Sequence, residues 1–230
     1  MEIPPFQRIA VVGAGLIGGS VLLAGDRRGL AAEFSCWSRS EASRRLLADL
    51  QVATVHTQVE DCVHGADLVV VATPVDRIEE TFAAIAPALA PGALVTDAGS
   101  VKVAILRAAA RLPASVTFVG AHPMAGSEKA GAAHASAELY AGRACFITPT
   151  GAEPRAAVDR VTAFWRGLGC RTSECTAEHH DEIVAAISHV PHAAASALML
   201  AVSDQPGFRV DAAGSGLRDA TRIAAGEENL

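Results

Sequence analysis

The residues with the most chemistry in this chain lie in the stretch GAHPMAGSEKAG, residues 120–131. A histidine side chain ordinarily titrates near neutral pH, so His122 is a candidate to take or return a proton during a reaction. The β-branched and aromatic run Val116–Val119 precedes it and predicts a buried strand that ends there. Gly120 and Ala121 are small enough to let something approach, and Pro123 restricts the backbone behind the histidine. Ser127, Glu128 and Lys129 then form a polar loop between glycines. A histidine at the carboxyl end of a strand in an open α/β sheet lies where ligands bind. A structural histidine in a tight turn is the alternative, and the flanking elements must decide.

The first of these elements opens the chain. Arg8–Val12 reads as a strand and runs into GAGLIG at 13–18, a G-x-G-x-x-G at a strand-to-helix junction. Gly13 permits the turn, Gly15 lets the backbone approach a pyrophosphate, and Gly18 allows close packing of helix on strand. The amides of Leu16 and Ile17 would face the phosphates at the helix N-terminus. A second strand, Glu33–Trp37, ends in Ser38-Arg39-Ser40. An acidic residue there favours a free ribose hydroxyl and an arginine favours a 2′-phosphate. Arg39, helped by Ser38, Ser40 and Arg44, leans the expectation from NAD towards NADP, with adenine stacking as the other use of the arginine.

The βα alternation continues with Gln51–Val55 and with Ala66–Ala72, whose unbroken apolar run suits a strand covered on both faces. The latter ends in Thr73-Pro74. Asp76–Ala90 reads as a helix stopped by Pro91-Gly92. Ala93–Thr96 is a strand that ends in the polar turn Asp97–Lys102, which contains Ser100. Strand ends at Gly13, Thr73, Ser100 and His122 could thus face one crevice. Ala144–Thr148 and Cys170–Cys175 read as further strands, with a helix over Pro154–Leu168 between them.

From Thr176 the character changes. Glu178–Ser203 is one long apolar helical stretch with SHVPH at 188–192. A proline inside it must kink the helix, placing freed carbonyls beside His189 and His192. The segment Gly214–Ala225 puts Arg218 and Arg222 one turn apart. His179, His180, His189, His192 and Cys175 can also be read as a metal set.

Of the 230 residues, 50% are apolar and 19% charged, so a large core is available and disorder is not expected. A formal charge of −6 argues against a nucleic-acid surface. Five cysteines, odd in number and without a CxxC pair, fit a reducing, cytoplasmic setting. The N-terminal MEIPPFQ lacks the basic-then-apolar pattern of a leader. The apolar run Ala193–Val202 is too short to span a bilayer, so no membrane association is expected.

In order and spacing, GAGLIGGS, ATPV, DAGSVK, GAHPMAGSEKAG, HHDEIVAAISHVPH and GLRDATRIA resemble the prephenate/arogenate dehydrogenase family. The resemblance implies a doubly wound, mainly parallel α/β sheet of Rossmann type over residues 1–175. A smaller all-helical domain that forms a homodimer would follow over 176–230. It implies oxidative decarboxylation of prephenate to 4-hydroxyphenylpyruvate, or of arogenate to tyrosine, with hydride transfer to NAD(P)+. By the same resemblance His122 is the base and Ser100 bonds near the substrate hydroxyl. Arg222 would grip a carboxylate, and His192, Glu128, Lys129, Ser127, Arg218 and His189 would line the site. Thr73 and Pro74 would border the cofactor, and His180 would be structural or stand one layer behind the site. No metal is expected, because hydride chemistry needs none. Relatives continue for several helical turns beyond TRIA, so the expectation for a sequence ending at Leu230 is either a truncation or a smaller dimer contact. A nicotinamide-sensing module would need only the first domain. A β-hydroxyacid or imine dehydrogenase would rely on a lysine in the helical part, and 176–230 contains none.

Overall fold

The structure is a computed structural model that describes residues 6–126 and 129–225. In chain order the elements are β1 (Phe6–Val12), α1 (Leu16–Arg27), β2 (Ala31–Trp37), α2 (Glu41–Leu50), β3 (Thr54–His56) and α3 (Val59–Val63). Then come β4 (Leu68–Val71), α4 (Ile78–Ile85), β5 (Leu94–Asp97), α5 (Val103–Ala108), β6 (Thr117–Phe118) and β7 (Gly120–Pro123). The chain ends with β8 (Ala144–Thr148), α6 (Arg155–Gly167), β9 (Arg171–Glu174), α7 (Ala177–Val184), α8 (Val190–Ser203) and α9 (Ser215–Thr221).

Strands β1 to β6 form a parallel sheet in the order β3-β2-β1-β4-β5-β6. This is the doubly wound arrangement, and its strand order reverses between β1 and β4. The alternation of side chains along β1 explains the absence of a polar face. Ile9 and Val11 enter one core with Val21, Leu22, Tyr140, Phe164 and Trp165. Ala10 and Val12 enter the other with Val69, Val71, Ile78, Phe82 and Ile105. Helices therefore cover both faces, and each fully buried Val or Leu contributes roughly 1.5–3 kcal/mol.

The expected single sheet is instead two. Strand β6 ends at Phe118 and, after Val119, β7 begins a separate sheet ordered β7-β8-β9. Strand β7 pairs antiparallel with β8, and β8 pairs parallel with β9. His122 thus sits inside a strand, opposite Phe146, rather than in the loop beyond one. The room expected at Gly120 is taken by protein: a Cβ there would lie 2.5 Å from Thr148 Oγ1. The cause is the tight antiparallel pairing of β7 with β8, which no local pattern in 116–123 announces.

The long helix expected over 178–203 is also modified. Between α7 and α8, Ala185–His189 forms a π turn. Pro191 follows within the first turn of α8, where a missing N–H is tolerated. The helix accommodates its proline by widening, a common device at functional sites. By length and composition alone the 27-residue run Ala177–Ser203 would suffice to cross a membrane: an 18-residue window has mean hydropathy 1.6 and is 11% buried. Its first turns, however, carry His179, His180, Asp181 and Glu182, and Asp181 is bonded to the start of α5.

Candidate active site

The fingerprint lies at the reversal point of the sheet. Gly13 has φ +96°, and a Cβ there would lie 2.6 Å from the Thr73 amide. The turn after β1 is therefore pressed against the turn after β4. A Cβ on Gly18 would meet Gly13 O at 2.5 Å and Val11 at 2.9 Å, so helix and strand pack too closely for any side chain. Gly15 is different: nothing lies within 4 Å of a Cβ built on it. It caps α1 without a side-chain bond, so no capping side chain occupies the N-terminus of this 12-residue helix. Protein packing demands Gly13 and Gly18, while the open space at Gly15 suits the close backbone approach of a dinucleotide pyrophosphate. Tyr140 secures the helix by donating its hydroxyl to Ile17 O at 2.7 Å.

At the end of β2, Ser38 is buried while Arg39 and Ser40 are exposed. Ser40 Oγ accepts the Ser43 amide as the cap of α2, so this hydroxyl already has a structural task. Arg44 donates to the carbonyls of Ser38 and Arg39 at 2.6 and 3.0 Å, bracing the turn. The Arg39 side chain has no bonded partner among the described residues. Thr73 Oγ1 lies 3.2 Å from Thr81 Oγ1, and Pro74 caps the following turn. Ser100 is exposed in the loop between β5 and α5.

His122 is 8% exposed. Its Nδ1 lies 2.8 Å from Nε2 of His180, whose Nδ1 lies 2.8 Å from Oδ1 of Asp181. The Asp181 carboxylate also accepts the amides of Lys102 and Val103 at 2.7 and 3.0 Å. The His180 ring stands edge-on to both His122 and Phe146, with centroids 5.0 and 5.2 Å apart. Burial pulls the His122 pKa down to about 3; the charges of Lys102, His180 and His189 act in the same direction and Asp181 opposes them. Burial likewise lowers His180, with Asp181 opposing. Burial pushes the Asp181 carboxyl up, but the Val103 amide, the His180 ring and the Lys102 amide outweigh it and hold the group ionised. The site therefore presents a neutral imidazole tethered through one nitrogen, which is the state a general base needs.

His180, expected to be structural or to stand one layer behind the site, bonds His122 directly. Asp181, Asp97 and Lys102 were not singled out at all. The signal was present in the charged ends of DAGSVK and in HHDE, where ionisable residues are embedded in apolar sequence.

In the helical part His192 is exposed and its Nδ1–H donates to Ser188 O at 2.9 Å across the π turn. His189 is exposed, and its charge acts on His122. Arg222 is exposed in a short turn after α9. Arg218 borders an apolar cavity of about 190 Å³ shared with Met199, Phe208 and Leu217, which His122, Ser100, His192 and Arg222 do not line. Lys129 is exposed. Ser127 and Glu128, expected to line the site, lie outside the described residues. The histidines of the alternative metal set have other uses: His180 bonds through both ring nitrogens, and His192 is turned to Ser188.

A doubly wound sheet with a dinucleotide cradle at its reversal point, a buried neutral histidine and a helical segment that follows is the arrangement expected of a nicotinamide-dependent oxidoreductase. Residues 26–174 match the family described as prephenate dehydrogenase, nucleotide-binding domain, and residues 176–230 match prephenate dehydrogenase, dimerization domain. The chain belongs to the prephenate dehydrogenase family. It is 35% identical to a cyclohexadienyl dehydrogenase of Zymomonas mobilis over 98% of this chain and 78% of that one. It is 31% identical to a prephenate dehydrogenase of Bacillus subtilis, over 94% of this chain and 60% of that protein. It also resembles the crystal structure of prephenate dehydrogenase from A. aeolicus in complex with hydroxyphenyl propionate and NAD+, with a TM-score of 0.89 and 29% identity over 99% of this chain and 81% of that one.

Proposed function

We propose that the chain is a prephenate dehydrogenase, converting prephenate and NAD(P)+ into 4-hydroxyphenylpyruvate, CO2 and NAD(P)H. The observation that carries this reading is His122, buried, neutral and tethered through Nδ1, on a chain whose family membership fixes the reaction class. A bound nicotinamide would supply the acceptor for the hydride of ring C4. His122 shares the proton of the C4 hydroxyl while carbonyl character develops there. The ring carboxylate leaves as CO2, its bonding electrons complete the aromatic ring, and the proton returns to the same oxygen. The balance is one hydride transferred and no proton released. Ser100 bonds near the hydroxyl, Arg222 and His192 hold a carboxylate, and Ser127, Glu128 and Lys129 belong to the substrate-binding set. Gly13, Gly15, Leu16, Ile17, Gly18, Thr73 and Pro74 hold the cofactor, and Arg39 favours the 2′-phosphate of NADP+.

Arogenate is the second substrate reading, favoured by the likeness to a cyclohexadienyl dehydrogenase, a name that covers the ring class and not one side chain. Residues 176–230 act as the dimerisation domain behind a dinucleotide domain ending near 175. Support comes from the dimerization-domain match and from the exposed apolar residues Ile187, Val190, Leu198 and Leu200. Five free thiols suit a reducing cytoplasm. The test is reduction of NAD+ and of NADP+ with prephenate and with arogenate in four parallel assays. Turnover with prephenate supports the reading, turnover with arogenate alone replaces it by the second, and no turnover in any assay overturns both.

A further inference from the structure

We infer that Asp181 and His180 are positioning residues that hold the proton of neutral His122 on Nδ1 and so leave Nε2 as the base. The inference rests on the reading of His122 given above and adds which nitrogen works and what sets it. A carboxylate can only accept hydrogen bonds. His180 Nδ1, 2.8 Å from Asp181 Oδ1, must therefore carry a proton. In a neutral ring its Nε2 is then a lone pair. That lone pair faces His122 Nδ1 at 2.8 Å, so His122 Nδ1 must be the donor. His122 Nε2 is left unprotonated, and among the described residues it has no hydrogen-bond partner. One ionised group, two positions back, thus fixes the tautomer of the base.

The same carboxylate has a second task. Through the amides of Lys102 and Val103 it closes the start of α5, the helix that follows the Ser100 loop. Asp181 belongs to α7, so seating the helical segment orients the base and the Ser100 loop together. The reaction also calls for a relay that holds a proton and does not conduct one, because the proton shared with His122 returns to the substrate oxygen. While His122 is protonated, the charges of Lys102 and His189 oppose it; Asp181 is the counter-charge reached through His180, on which Asp97 also acts. In other enzymes, replacing the carboxylate behind a histidine base without disturbing geometry lowers kcat by up to about 10⁴-fold through the wrong tautomer.

The experiment combines 15N NMR of the histidine rings in the full chain with kinetics of three variants. In the native protein His122 should show a protonated Nδ1 and an unprotonated Nε2. His180→Leu, which removes the acceptor, should move the proton towards Nε2 and lower kcat by about 10²–10³-fold with little change in cofactor KM. His180→Gln, which restores an acceptor, should recover at least about tenfold of that loss, as a merely structural role would not. Asp181→Asn puts an N–H where only acceptors fit, so it should also lower kcat and shift the His122 signals. A native spectrum with Nε2 protonated overturns the inference, as does His180→Leu with native kcat or equal kcat for Leu and Gln. The native spectrum decides even if His180→Leu fails to fold. Failure of all four substrate assays would sink the functional reading while the spectrum still judged the relay.

Discussion

Lys102 and Asp97 form an ion pair with no solvent exposure on either side chain, and between them they hold both backbone groups of Ala121, the residue before His122. Lys102 Nζ donates to Ala121 O at 2.7 Å, and Asp97 Oδ1 accepts the Ala121 amide at 3.1 Å. The pair fastens β7 of the second sheet to the end of β5 in the first. Burial works against the Lys102 ammonium and the Asp97 carboxylate works for it. Removing one member of such a pair leaves a buried charge alone, at about 3–5 kcal/mol. Lys102→Met should therefore lose stability of that order in urea unfolding. Arg111→Ala, which breaks a pair with Glu79 exposed at 62% and 60%, should cost at most about 1 kcal/mol. Equal small losses would mean the buried pair is not what joins the sheets.

The pH dependence follows from the depressed His122. Its folded pKa, about 3, lies below the ordinary histidine value near 6.5. Between those values the unfolded chain binds a proton that the folded chain refuses. The stability from this group is therefore complete above about pH 6.5 and falls as the pH drops through that window. For the same reason the acid limb of kcat/KM should lie at least about one unit below 6.5, since that profile reports the free enzyme. His122→Asn should fold and lower kcat by about 10²–10⁴-fold. A limb centred at 6.5 or above, or a mutant with near-native turnover, would assign the proton transfer elsewhere.

Arg39→Ala should weaken NADP+ far more than NAD+, because the ribose hydroxyl offers nothing to replace a lost phosphate pair. Steady-state KM values for both cofactors decide it. A native protein that uses NAD+ alone, or equal effects on the two, refutes the preference.

Arg222→Ala should chiefly raise substrate KM, since a carboxylate grip acts in ground and transition state alike. Arg222→Lys should restore little, a point charge being a poor substitute for a planar fork. A fall in cofactor affinity with unchanged substrate KM would move Arg222 out of the substrate site.

On α8, Leu198 and Leu200 are 39% and 66% exposed. A two-fold partner presenting the same helix would cover them. Leu200→Asp, alone or with Leu198→Asp, should shift sedimentation from dimer towards monomer. A native monomer at every concentration with full activity contradicts this assembly, and so does a dimer indifferent to both charges.

The sequence by itself determined the parts that short-range physics dictates. Ala66–Ala72 could only be a strand covered twice, and Gly13, Gly15 and Gly18 marked the first turn, because strand burial and turn geometry are written in neighbouring residues. Pro191 announced an irregular helix, though the answer was a π turn. The tertiary structure alone decided what lies side by side. The pairing of β7 with β8 turned the expected space at Gly120 into contact with Thr148. The docking of α7 brought His180 to His122 across 58 residues and Asp181 to Lys102 across 79. Contacts at that separation depend on how elements pack and not on any local period, so the histidine was legible in the sequence and the relay behind it was not.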